Sequence, residues 1–424
     1  MGVKKEMITK KHMIFLLLVG LVAMMAIGSV SAADTVKYVN GSVVTSGDGN
    51  TWSTAYKTIR EGINNVANGG TVNIAPGTYT GTGNKDITVN KNVTIKGAGE
   101  NNTIIDPKRK GRAFNITPGN NVTIQDLTIK NGNANEGGAI LNKGNLTVKR
   151  VTFKNNKARR GGAIANLGNA TITGSTFKNN YARLGGAIYN TGIGSKLSIK
   201  YSRILDNSPK DIYVDSGTVD ARYNWWGTNF SRTNPLFAGR IAKNRYNSPV
   251  VYYGPWLILR IKADPNSIYT GGSSTITADL YTDSAGGNHK ANSTLYPPEI
   301  PVRFTTDLGS IGSHIENTVL KYGIASVTLS AGHQTGIAHI TARVDNQLVR
   351  LGVTIRRTRD PWRGHSLYRC CDINGAAGGN EGKELCRNIH WRFNNNNWRH
   401  TLNHRRFNNI RWRFNNNQRY TTRL

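Results

Sequence analysis

The chain has 424 residues, a net charge of +31 and 38% hydrophobic residues. That length allows two or three domains, and the charge directs the protein toward polyanions rather than cationic partners. Three cysteines, Cys370, Cys371 and Cys386, all lie near the C-terminus, which excludes a disulfide framework for residues 33–369.

Residues 1–32 read as a cleavable export signal. Lys4, Lys5, Lys10 and Lys11 form a basic stretch, Met13 to Ile27 an apolar run, and Val30-Ser31-Ala32 a small-residue cleavage site. No second apolar run approaches the ~20 residues a bilayer span needs, so no transmembrane helix is expected in the mature chain. The predicted location is secreted or cell-surface. The chain stays strongly basic once the four lysines and one glutamate of the signal are set aside.

Residues 34–91 read as a capping module. Ile59, Ile63 and Val66 fall at helical spacing before Gly69-Gly70, and "TVNIAPGTYTG" then alternates as a strand until Pro76-Gly77. Residues 92–255 hold a repeat. "GGAI" recurs at Gly137, Gly161 and Gly185, a period of 24, and "NVTIKG", "NVTIQD", "NLTVKR" and "NATITG" open successive units. Short strands repeated at such a period indicate a stacked solenoid. Stacking one unit per coil predicts an inward column through Ile129, Phe153, Phe177 and Ile204, and a second through Ile140, Ile164 and Ile188. Asn155 with Asn179, and Asn156 with Asn180, are expected to form amide ladders at turns. Residues 256–355 carry strand-like runs separated by Gly, Pro, Asn and Asp, at the spacing of a β-sandwich. Residues 356–424 change again: nine arginines and no acid occur from 386 to 424, among "WRFNNNNWRH" and "WRFNNNQRY". This basic Arg/Asn/Trp-rich tail is expected to be low in complexity and without a packed core.

The GGAI phrases followed by "FKNN" resemble the repeats of polymorphic membrane proteins and of adhesin-like surface proteins of methanogenic archaea. "YKTIREGINNVANGGTVNIAPGTYTG" resembles the N-terminal cap of the pectin lyase-like superfamily. "YNWWGTN" resembles the close of the coil array in the methanogen group, and "VRFTTDLGSIG" resembles invasin-type Ig-like repeats. The resemblance implies an all-β chain: a right-handed parallel β-helix with a short N-terminal capping helix, then an Ig-like β-sandwich and the basic tail.

That superfamily includes enzymes: lyases holding calcium between clustered carboxylates, and hydrolases with paired carboxylates on neighbouring coils. Stacking supplies a test, because acids sharing a register should differ by about 24. Asp126 instead meets Arg150, Glu136 meets Arg160, and Asp206 meets Asn179 and Asn155 across a three-residue insertion. No carboxylate ladder forms, residues 92–255 contain no His, and the expectation is a non-catalytic protein without cofactor. Asp206, Asp211, Asp215 and Asp220 are read as solvated turn acids, with a calcium site as the lesser alternative. Trp225-Trp226 are read as a cap over the open core rather than a sugar platform.

On the basic side, Lys130, Lys154 and Lys178 share one register, and Arg159 and Arg183 another. They form a candidate polyanion-binding stripe, although exposed lysines also discourage edge-to-edge strand pairing. The expected partners are a cell-surface glycan, an anionic wall polymer or other cells. The tail suits nucleic acid through phosphate neutralisation and stacking, but export disfavours that partner. The alternatives are a polysaccharide lyase or hydrolase and a tail-driven polyanion binder.

Overall fold

The computed structural model describes residues 35–230, 238–357, 390–394 and 397–401. Contacts divide the chain into two units, 1–357 and 358–424. In the second unit, His390–Asn394 and Asn397–Thr401 pair as antiparallel strands. The remainder of the expected low-complexity tail, like the expected signal at 1–32, lies outside the described residues.

The first unit begins with strand Val36–Val39, which pairs in parallel with Thr71–Ile74 at one edge of a thirteen-stranded sheet. Between them runs α1, Ile59–Asn65, with Thr58 as N-cap. The Glu61 amide donates to the Thr58 hydroxyl at 3.3 Å, and the Thr58 amide donates to the Glu61 carboxylate at 2.9 Å. This reciprocal cap satisfies donors that a seven-residue helix otherwise leaves open. Ile59, Ile63 and Val66 are buried in the same core as the coils behind them, so the helix closes one end of the solenoid.

The solenoid is a right-handed β-helix of about six turns. Its faces are the thirteen-stranded sheet, a seven-stranded sheet and a three-stranded sheet. Parallel pairing holds the 24-residue register: Phe153 lies against Ile129 and Phe177, and Phe177 against Ile204. The two phenyl rings stack with centroids 4.7 Å apart. Ile140, Ile164 and Ile188 form the second column. Strand Asn145–Lys154 bends at Arg150, whose φ of 49° turns the chain from one inward run to the next.

The repeated glycine pair is a steric requirement. Gly161 has φ of +64°, and a Cβ there would sit 2.1 Å from the Ile164 carbonyl oxygen. A Cβ on Gly162 would sit 2.0 Å from the Gly186 carbonyl oxygen on the next coil. Coils stacked at the ~4.8 Å strand spacing leave no room for a side chain at either position.

Adjacent asparagines play different parts. Asn156 donates its amide to Asn180 at 3.0 Å, and Asn180 donates to Asn207 at 2.9 Å, all three buried. The expected Asn155–Asn179 ladder does not form. Both residues instead have φ of 57° and make the left-handed corner that aims their neighbours inward. A second buried ladder, unforeseen in the sequence, runs from Asn142 to Asn166 to Asn190, with each amide donating at 2.7 Å.

From Leu257 the chain builds an eight-stranded sheet that nearly closes on itself. In spatial order its strands are Leu257–Asp264, Ser273–Asp283, Ile324–Ser330, Ile315–Lys321, Glu299–Thr306, Gly336–Val344, Gln347–Arg356 and Ser267–Tyr269. All neighbours are antiparallel except the last pair. The sheet curls around a core that includes Phe304, Leu280 and Ile340, and its two halves are joined between Ile324–Ser330 and Ile315–Lys321 by the single pair Lys321–Ile324.

This sheet docks against the last coils. Trp226 belongs to the solenoid core, whereas Trp225 belongs to the core of the curled sheet. The Trp225 indole N–H donates to Asp345 at 2.8 Å, and Arg203 donates to both oxygens of the same carboxylate. Each tryptophan is 1% exposed, which removes both as sugar platforms; strands Ile241–Lys243 and Val250–Tyr252 continue the coil sheets beyond them.

Neighbouring substitutions should separate the two asparagine roles. Asn180→Ala strands buried partners on two coils, at about 1–3 kcal/mol for each unsatisfied group, whereas Asn179→Gly keeps the left-handed corner and should stay within about 0.5 kcal/mol of wild type. Urea unfolding monitored by circular dichroism measures both.

Candidate polyanion-binding surface

The register brings the predicted cations together as columns. Lys130, Lys154 and Lys178 are direct cross-strand partners at one margin of the thirteen-stranded sheet. Arg159 and Arg183 occupy equivalent places in strands Lys157–Arg160 and Tyr181–Leu184 of the three-stranded sheet. The two columns lie on successive faces of the coil, separated by the corner at Asn155-Asn156. Arg159, Arg183, Arg160 and Leu184 surround a cavity of about 230 Å³. Beside it the Lys157 ammonium lies 5.5 Å from the Tyr181 ring centre, and the Arg160 guanidinium 5.8 Å from that of Tyr189.

The columns are not equally free. Lys130 lies 3.9 Å from Asp106 and Lys178 3.9 Å from Asp206, so each end of the lysine column has a carboxylate nearby. Lys154, Arg159 and Arg183 take part in none of the ion pairs found among the described residues. The centre of the stripe thus consists of Lys154 and the two arginines. At strand spacing these like charges repel through water, by an amount that salt reduces.

The acids of the coils are engaged elsewhere. Asp126 accepts from Arg150 at 2.6 Å and Glu136 from Arg160 at 3.0 Å, each pair one coil apart. Asp211 is fully buried and accepts from Arg240 and Asn207. Burial pushes the Asp220 carboxyl up, but hydrogen bonds from Arg222 and Lys200 outweigh it and hold the group at about 2. Asp215 accepts from Thr191 and Asn244. The four late-turn acids therefore point to separate partners. Among the described residues no group of three His, Cys, Asp or Glu is placed to hold a metal ion. Cys371, Cys386 and their surroundings lie outside the described residues.

Sequence reasoning missed Glu100 and Arg203. Glu100 folds over the face that carries Thr128 and Thr152, accepting from the Thr152 hydroxyl at 3.1 Å. Burial pushes its carboxyl up to about 7, and Asp126 adds to the rise against the opposing pull of Thr152 and Arg150. Arg203 breaks a column in which the preceding coils carry Thr128, Thr152 and Thr176. A charge replacing threonine in that column was the available sign that another element covers it.

The repeat of the Chlamydia polymorphic membrane proteins matches residues 150–167 and 174–191. No curated protein matches the chain. Among solved structures, pectate lyase Pel9A is similar at 15% identity and a TM-score of 0.32, over 47% of this chain and 56% of that one. Domains 4 and 5 of the S-layer protein SbsC are similar at 19% identity and a TM-score of 0.17, over 25% of this chain and 55% of that one. The chain thus spans little more than half of either structure. Coil geometry defines the solenoid as a right-handed parallel β-helix, and the matched repeats lie within its coils. No helix among the described residues is long and apolar enough to cross a membrane.

Glu100 gives a pH signature. Its folded-state value of about 7 lies above the ordinary ~4.3 of an unfolded glutamate, so the folded state holds the extra proton between those limits. Stability contributed by this group is complete below the lower limit and is lost as pH rises through about 7. Relative to wild type, Glu100→Gln should flatten the fall in urea midpoint across this range, measured at constant ionic strength.

Proposed function

We propose that the protein is a secreted or surface-displayed, adhesin-like β-helix that binds anionic glycans or envelope polymers without transforming them. The observation that carries this reading is the group Lys154, Arg159 and Arg183: exposed and in none of the ion pairs among the described residues, with Lys154 in one cation column and the two arginines one coil apart in the other. A polyanion laid along the coils meets one such charge per strand spacing, and individually weak contacts add along its length. Export through residues 1–32 would bring the chain to where such polymers occur, and the matched repeat is named for the polymorphic membrane proteins of Chlamydia. The non-catalytic part of the reading is supported by the coil acids Asp126, Glu136, Asp211 and Asp220, which are committed to Arg150, Arg160, Arg240 and Arg222 rather than to one another. Residues 256–355 serve as a module that braces the last coils and carries the β-helix outward.

Lys154→Glu/Arg159→Glu/Arg183→Glu should weaken binding to immobilised polygalacturonate and to whole cells at least tenfold, while the thermal midpoint stays near or above wild type. Wild-type binding should fall steeply between about 50 and 200 mM salt. Undiminished binding by the triple variant would overturn the stripe, and release of unsaturated or reducing-end product would overturn the non-catalytic reading.

A further inference from the structure

The eight-stranded sheet does not close completely. Strand Leu257–Asp264 pairs along its length only with Ser273–Asp283, and strand Gln347–Arg356 pairs with Ser267–Tyr269 only over Thr354–Arg356. At the seam between them lies a cavity of about 560 Å³, lined in part by Arg260, Lys262, Lys290 and Arg350. All four cations are exposed, and none takes part in an ion pair found among the described residues. The only carboxylate on the wall is Asp279. It is the cross-strand partner of Arg260 and accepts instead from the Tyr281 backbone amide at 3.0 Å.

We infer that this seam is a binding site for an acidic oligosaccharide, separate from the cation columns of the coils. Four like charges around one cavity repel, and an anion among them removes that repulsion. Arg260 and Arg350 stand on the two strands that fail to pair, so one carboxylate or sulfate lying across the seam meets a guanidinium from each side. Guanidinium groups suit such oxyanions because their N–H donors match the spacing of two oxygens. The volume falls within the ~300–1,000 Å³ typical of small-molecule sites, more room than a single oxyanion needs. Asp279 then discriminates between ligands. It repels a bare phosphate or sulfate, but accepts hydrogen bonds from hydroxyls, as does the Asn288 carbonyl on the same wall. A ligand with both an anionic group and several hydroxyls satisfies the whole lining, and acidic sugars have that combination.

The inference stands independently of the coil stripe, and calorimetric titration of the full chain tests it. The probes are galacturonate trisaccharide, the neutral galactose trisaccharide and inorganic sulfate. The acidic trisaccharide should bind wild type at least tenfold more tightly than either control. Arg260→Gln/Arg350→Gln should lose at least tenfold, whereas Lys143→Gln/Lys196→Gln, exposed cations outside both surfaces, should change the affinity less than twofold. Lys262→Gln/Lys290→Gln serves as a second seam variant if the arginine pair unfolds. The site assignment is overturned if a folded seam variant binds like wild type, or if the Lys143/Lys196 variant loses as much as the seam variant. Sulfate binding as tightly as the acidic trisaccharide would overturn the sugar assignment.

Discussion

The structure depends on one constraint: each coil must sit on the next in strict register. Parallel backbone pairing alone tolerates sliding, since every residue offers the same donor and acceptor. What forbids it here is buried and side-chain specific. Asn156, Asn180 and Asn207 find amide partners only when equivalent residues face each other, and Asn142, Asn166 and Asn190 impose the same condition on another face. A coil displaced by one residue would leave these amides unpaired in an apolar core and set Phe153 out of line with Phe177. The glycine pairs act in the same sense, since only they fit where backbone meets backbone.

This constraint also produces the surface chemistry. Register that aligns phenylalanines inside must align lysines outside, because side chains alternate along a strand. Lys154 lies between Lys130 and Lys178 for the same reason that Phe153 lies between Ile129 and Phe177. Acids fall into the arrangement as well, one coil from an arginine at Asp126–Arg150 and Glu136–Arg160. The coil chemistry is thus linear: matched charges along some columns and unmatched ones along others.

Much of this was legible before any coordinates. The helical spacing of Ile59, Ile63 and Val66 gave the capping helix. The 24-residue period placed both inward columns and the cation columns, because a repeat converts sequence distance directly into spatial position. The same arithmetic that denied a carboxylate pair located the Arg150 and Arg160 ion pairs. Legibility ended where the repeat ends. Nothing in local spacing pairs Arg203 with Asp345, 142 residues away, or brings Glu100 under the influence of Arg150 and Arg203. Asn155 and Asn156 could not be told apart by residue type, since Asn suits both a left-handed corner and an amide ladder, and only the backbone at the corner distinguishes them. The seam of the curled sheet was illegible for another reason. Its cations come from three separated segments of a region without repetition.

Trp225 and Trp226 are consecutive residues whose indoles lie in different cores. Unfolding the curled sheet would expose Trp225 and strip Asp345 from Arg203. Unfolding the last coil would pull both tryptophans from their sites. Neither body can melt without removing part of the other's interior, so the joint couples loss of the last coils to loss of the curled sheet. A load or a protease that opened this joint would therefore have to disturb both interiors at once.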